Sequence, residues 1–199
     1  MKSDAIFNLI KYFLTLFTLI LVPTYWYYYG VQNFLWLSDI GLFLTVMSLW
    51  LHSAMLMSIA AVAVLVIELV WNIDFFGELI FNVNIIDLAD YMFDPSYPFF
   101  LRILSLFHVI TPLVWIWYLK RYGYDTRALR FSTILYWVDV WIVFLFTEPI
   151  KNINWVFLPQ VNGTHGISPV VWVLFLCVAF PLFIFLPTHY IFKKIFKST

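Results

Sequence analysis

Charge is scarce in this chain, and the scarcity decides most of what the chain can be. Only 11% of its 199 residues are Asp, Glu, Lys or Arg, about half the share of an ordinary soluble domain, and the two signs cancel. No basic excess exists to neutralise a phosphate backbone, so nucleic acid is not an expected partner. Cysteine is sparser still: Cys177 stands alone in an apolar run, which excludes a disulfide within the chain and leaves a small hydrophobe in a packed helix. The four histidines show no HxxxH or HxxE pair, and His52 and His189 fall at the inner ends of their spans, far from His108. That spacing argues against zinc, and no metal or other cofactor is expected; a bis-histidine haem has only His52 with His189 at matched depth, at a shallow and exposed level. The acidic residues lack EF-hand spacing, no GxSxG elbow occurs, and there is no internal repeat, long linker or low-complexity tract.

What the chain has in excess is apolar and aromatic residues, 64% and 22% of the total. A hydrocarbon core about 30 Å thick takes about 20 apolar residues per helix. Six stretches qualify, at about 10–28, 31–51, 53–72, 98–119, 131–148 and 168–190. The expectation is an all-α polytopic membrane protein, a single bundle of six transmembrane helices over residues 1–199. Runs such as LMSIAAVAVLVIELVW (56–71) are apolar all round, which excludes the alternating pattern of a transmembrane β-barrel. Lys2 and Lys11 precede the first apolar run as in a signal peptide, but no small-x-small cleavage site follows, so the run is read as a retained span.

Nine of the eleven basic residues (Lys2, Lys11, Lys120, Arg121, Arg127, Arg130, Lys193, Lys194 and Lys197) fall in segments on one side of such a bundle. The positive-inside rule then places both termini in the cytoplasm of a cell membrane, the inner membrane in a two-membrane cell. The segment IDFFGELIFNVNIIDLADYMFDPSYP (73–98) is acidic, too polar to span and too apolar for a free loop. It is expected to lie along the outer interface as a short amphipathic helix or re-entrant segment, placed to act as a lid. The aromatic stretches TYWYYYG (24–30) and WIWY (115–118) read as interfacial anchors.

Inside the spans the ionisable residues are Asp39, Glu68, Arg102, His108 and Asp139. Each costs about 2.5–3.5 kcal/mol or more at a helix centre, so each should face the bundle interior with a partner. At about 1.5 Å per residue, Glu68 and Arg102 come within about 6 Å of the outer edge of the core, an expected ion pair. Ser38 and Asp39 lie at about 10–12 Å, His108 at about 15 Å and Asp139 at about 14 Å, an expected inner polar cluster. Arg102, Ser105 and His108 share a third of their helix, and Ser132, Tyr136 and Asp139 share a face of theirs. A neutral imidazole within reach of a serine hydroxyl activates it as a nucleophile, so Ser38 and His108 are a candidate pair. Asp139 or Asp39 would orient the ring, with Asn152, Asn154 or Tyr136 donating to an oxyanion.

Three stretches carry a resemblance. LWLSDIGLF (35–43) resembles the LPLHLCDIALF-type segment of YwaF-like bacterial integral membrane proteins, which belong to the same broad group as the androgen-induced and androgen-dependent transmembrane hydrolases of animals. FLRILSLFHVITPLVWIWYL (100–119) is similar to that group's fourth-span segment with its histidine, and NINWVFLP (152–159) to its NxNYxFL segment. The resemblance implies a six-span fold with a nucleophile on an early helix and a histidine on a later one, hydrolysing or transferring acyl groups on lipids. The nucleophile position falls on Ser38, where the bacterial motif has Cys and the animal hydrolases have Thr, and the histidine on His108. The motif's His is Trp36 here, and its Pro is Phe34.

Three functional readings remain open at this level. The first is a serine hydrolase or acyltransferase acting on membrane lipid esters. The second is a small proton-linked transporter with Asp39, Asp139 and His108 as a titratable relay, although no inverted repeat supports it. The third is a scaffold subunit in which these residues only hold helices together.

Overall fold

The computed structural model describes residues 2–158 and 166–198. Its helices are α1 (Lys2–Tyr29), α2 (Leu37–Leu51), α3 (Ala54–Phe81), α4 (Phe99–Leu104), α5 (Phe107–Tyr122), α6 (Ala128–Phe146), α7 (Pro169–Phe180) and α8 (Leu186–Ile195), and no strand occurs among the described residues. Among the described residues five stretches are long and apolar enough to cross a membrane: Ala5–Tyr29, Ala54–Phe81, Phe99–Tyr122, Ala128–Phe146 and Pro169–Ile195. Helix α2, with 15 residues, is apolar but covers only about 22 Å. The protein is an all-α, multi-pass integral membrane bundle.

Three expected spans are not continuous. The stretch 31–51 divides at Trp36, whose extended backbone separates a 3₁₀ turn, Val31–Leu35, from α2. The stretch 98–119 divides at Ser105 and Leu106 between α4 and α5. The last span passes from α7 through a π-helical turn, Pro181–Phe185, into α8. Pro181 stands at the last of these breaks, and a proline within a helix removes one N–H and orphans a carbonyl four residues earlier. Pro112 leaves the carbonyl of His108 without a helical donor, and Asn72 on α3 fills the gap: its Nδ2 donates to His108 O at 2.8 Å and to Glu68 O at 2.7 Å. Pro181 does the same to Cys177, and Trp137 Nε1 on α6 donates to that carbonyl at 2.7 Å. The backbone faults are thus converted into interhelical ties.

Helix α3 is the central post, packed by α2, α5 and α6. Its N-terminal half carries the small residues Ser58, Ala60, Ala61 and Ala63, all fully buried, so neighbouring backbones can come close without a hydrophobic drive between helices. Gly41 on α2 meets this surface: a Cβ there would lie 3.2 Å from Val64 Cγ2 and 3.3 Å from the Trp115 ring. Trp115 Nε1 donates to Thr45 Oγ1 at 2.6 Å, which in turn donates to Gly41 O, tying α5 to α2 across the same contact.

Helix α3 runs on to Phe81, so Asp74 and Glu78 stand on a helix and the covering segment is shorter than expected, residues 82–98, with one 3₁₀ turn at Asp90–Met92. It folds back because Asp74 collects it. The Asp74 carboxylate accepts the N–H groups of Ile85 and Ile86 on one oxygen and of Leu88 and Ala89 on the other, at 2.7–3.0 Å. Gly77 makes the approach possible, since a Cβ there would stand 2.9 Å from Ile85 Cδ1. Asp74→Ala strands four amides at once, each charge-assisted bond worth about 1.5–3 kcal/mol. Amide hydrogen exchange across 82–98 should then rise at least about tenfold while that of α5 and α6 stays put. Unchanged exchange in the loop would show that Asp74 is not its anchor.

Candidate functional site

Under that loop, enclosed by α1, α2, α3 and α5, lies a cavity of about 370 Å³. Four of the sequence-selected residues line it: Ser38, Asp39, Glu68 and His108. Helix α2 supplies Ser38 and Asp39 from its first turn because the chain breaks at Trp36 just before them. The turn at Ser105–Leu106 lets α5 start afresh beneath the cavity, with His108 on its first turn.

His108 Nδ1 is 2.6 Å from Glu68 Oε2; the carboxylate is fully buried and the imidazole is 13% exposed, toward the cavity. Trp71 stacks on the imidazole with centroids 4.5 Å apart, and Phe107 packs on it at 4.2 Å, so its orientation is held from the ring faces as well as from Nδ1. Asp39 is buried and receives one bond, from Asn33 Nδ2 at 3.3 Å. Three buried polar atoms of the lining have no partner among the described residues: Asp39 Oδ1, Glu68 Oε1 and Trp71 Nε1. The N–H groups of Ser38 and Asp39 likewise have no acceptor among the described residues, as is usual in a first helical turn. No hydrogen bond joins Ser38 to His108.

The remaining sequence-selected residues lie elsewhere. The expected ion pair of Glu68 with Arg102 is not formed. Arg102, on α4, turns to the loop instead and donates from Nη1 to Met92 O at 3.0 Å, because the break after Leu104 puts it on a different axis from His108. Asp139 does not orient His108. It sits one layer behind the cavity wall, where its Oδ2 accepts from Asn154 Nδ2 at 2.6 Å. Asn154 is a junction: the same Nδ2 donates to Leu35 O at 2.8 Å, and its Oδ1 accepts from Leu37 N at 3.1 Å, capping α2 from outside the helix. Asn152 accepts from Phe157 N, and both asparagines, with Trp155, hold positive φ. Tyr136 is buried against Phe180 and Phe185 with its hydroxyl unpartnered among the described residues, away from the cavity.

Sequence reasoning missed the tyrosines. Of the aromatic run at 24–30, Trp26, Tyr27 and Tyr28 are exposed as anchors should be, but Tyr25 and Tyr29, one helical turn apart, line the cavity. Tyr25 OH pairs with Ser105 Oγ at 3.0 Å. Tyr91 and Tyr97 reach in from the loop, and burial pushes the Tyr91 phenol up, keeping it a neutral hydroxyl. The four-residue spacing of Tyr25 and Tyr29 is the signal that separates them from their neighbours.

Two other histidines take different partners. His52 stacks on Phe7, and His189 Nδ1 pairs with Tyr124 OH at 2.6 Å. Among the described residues no group of three or more His, Cys, Asp or Glu side chains converges as a metal site. No family model, curated protein or solved structure matches the chain. The cavity itself therefore carries the functional reading.

Proposed function

We propose that this protein is a membrane-embedded serine hydrolase or acyltransferase acting on lipid esters. Ser38 is its nucleophile, His108 its general base, and Glu68 the carboxylate that orients the base. The observation that carries the reading is the 2.6 Å contact between His108 Nδ1 and Glu68 in a cavity that Ser38 also lines. With Nδ1–H donating to Glu68, Nε2 is left as the basic nitrogen on the cavity side. The Ser38 proton passes to Nε2 as Oγ bonds to the ester carbonyl carbon. The resulting oxyanion is met by the free N–H groups of Ser38 and Asp39 at the positive end of α2. Imidazolium then returns the proton to the departing alkoxide, leaving an acyl-serine that water or a second alcohol relieves. The Ser38 to His108 bond forms as substrate fills the cavity, a tightening common among sites of this kind.

The resemblance to the YwaF-like and androgen-related transmembrane group agrees with this assignment of nucleophile and base, with Glu68 taking the place first sought at Asp139 or Asp39. We also place the protein in the cell membrane with both termini cytoplasmic. The bond from Tyr124 N to Lys197 O supports that orientation by bringing the basic α5–α6 turn and the basic C-terminal segment to one end of the bundle, away from the acidic loop.

The test is activity-based labelling of detergent-purified protein with a fluorophosphonate, which bonds only to an activated serine. Covalent labelling that maps to Ser38 is expected. The Ser38→Cys variant reports whether reagents can enter the cavity, through its reaction with a small maleimide. Ready maleimide modification of that variant, together with no fluorophosphonate adduct on the wild type, would overturn the reading. The unpartnered oxygens of Asp39 and Glu68 favour one second reading, a proton-linked carrier. It requires pH-driven flux in liposomes that Asp39→Asn removes and Ser38→Ala spares.

A further inference from the structure

The polar end of the cavity holds two carboxyl groups, Asp39 and Glu68, and is walled by aromatic rings. Glu68 is already engaged by His108 Nδ1 at 2.6 Å. Asp39 adds a further carboxylate whose one partner among the described residues is the neutral amide of Asn33. No lysine or arginine among those residues lines the cavity. Two on its rim are engaged by backbone carbonyls, Lys151 Nζ with Tyr29 O at 2.9 Å and Arg102 Nη1 with Met92 O. A carboxylate only 2% exposed and without a cation is costly to keep, and its missing partner is the strongest pointer on this wall to a ligand.

The aromatic lining points the same way. Three pairs contribute, each from a different part of the chain and each at a steep angle: Tyr25 with Tyr29 at 75°, Tyr91 with Tyr97 at 68°, and Trp36 with Trp155 at 82°. Rings set edge to face leave at least one face of the pair unstacked, and the negative face of a ring attracts a cation, most strongly when water is excluded. An apolar ligand would use the rings but leave Asp39 Oδ1 unsatisfied. An anion would meet a carboxylate.

From these features we infer that the cavity binds an organic ammonium group, anchored by Asp39 and enclosed by the three aromatic pairs. The inference rests on the hydrolase reading for the role of the site and names the charged end of its substrate. The binding atoms are distinct from the Ser38 and His108 pair, so the two ideas fail separately. The ammonium group can belong to a lipid headgroup or to a free amine.

The experiment is equilibrium binding of radiolabelled choline to the full chain, purified in maltoside, with no turnover required. Saturable binding is expected. Tetramethylammonium should displace it, and 3,3-dimethylbutan-1-ol, the uncharged carbon isostere of choline, should compete at least about tenfold more weakly. Asp39→Asn should weaken binding about tenfold or more, while Tyr190→Phe, at an exposed position on α8 outside the cavity lining, binds as the wild type does. Dodecylphosphocholine competing better than free choline assigns the group to a lipid headgroup, and the reverse assigns it to a free amine. Equal competition by the uncharged isostere, or no saturable binding by folded wild type, overturns the inference. Loss of fluorophosphonate labelling with choline binding intact would instead sink the hydrolase reading alone.

Discussion

Ser38→Ala is expected to abolish fluorophosphonate labelling, and His108→Ala to lower its rate by about 10²–10⁴-fold. Glu68→Gln is the more informative change. Glutamine preserves the shape of the contact with His108 Nδ1, but its amide can present an N–H where the carboxylate presents only acceptors. Nδ1 then becomes the acceptor and Nε2 the protonated nitrogen, which cannot take the serine proton. Labelling should therefore fall about 10²-fold or more in a protein that still elutes as a folded monodisperse peak. Arg102→Gln is the matching control. Arg102 lies at the depth of Glu68 by residue count yet bonds to the 90–92 turn, so its loss should leave the labelling rate within about threefold, the ordinary range for a site outside the reacting groups. A result in which Arg102→Gln silences the serine and Glu68→Gln does not would show that the 2.6 Å contact is structural and that the depth-matched ion pair forms in solution.

The fate of that ion pair shows what the sequence could and could not supply. Counting residues along a helix yields depth, and depth grouped Ser38, Asp39 and His108 in one layer; all three line the cavity. Depth says nothing of rotation about the helix axis or of breaks in it. Asp139 matches His108 in depth but faces Asn154, and Glu68, placed a layer above His108, meets it because α5 restarts after Leu106 and Asn72 draws the freed His108 carbonyl against α3. Pro112 and Pro181 are visible in the sequence, but the donors that satisfy the carbonyls they orphan come from other helices, and no periodicity announces Asn72 or Trp137. The overall class was legible for the opposite reason. In hydrocarbon the backbone groups must find their partners in the protein, so apolar runs of this length, without the alternation of a barrel strand, have one regular solution, the helix.

Asn154→Ala should be the most damaging single change outside the cavity. The side chain fills three demands at once: the first N–H of α2, the carbonyl of Leu35 and the carboxylate of Asp139. Interhelical hydrogen bonds in membranes average only about 0.6 kcal/mol, because the unfolded segments find other partners in the bilayer. Three such losses would be modest. The carboxylate changes the arithmetic, since Asp139 is 3% exposed, its Oδ1 is already without a partner among the described residues, and removing Asn154 leaves the whole group buried and unpaired. Leaving a buried polar group without its hydrogen-bond partner costs about 1–3 kcal/mol, so a loss of about 2–4 kcal/mol is expected with the other two bonds added. Thermally induced aggregation followed by fluorescence-detected size exclusion would read this as a marked fall in midpoint. The double variant Asn154→Ala with Asp139→Ala separates the two contributions. If the orphaned carboxylate dominates, the second substitution restores part of the stability lost in the first. If the cap on α2 dominates, the double variant is no better than the single one, and Ser38, on the same first turn as that capped N–H, loses its place in the cavity in both.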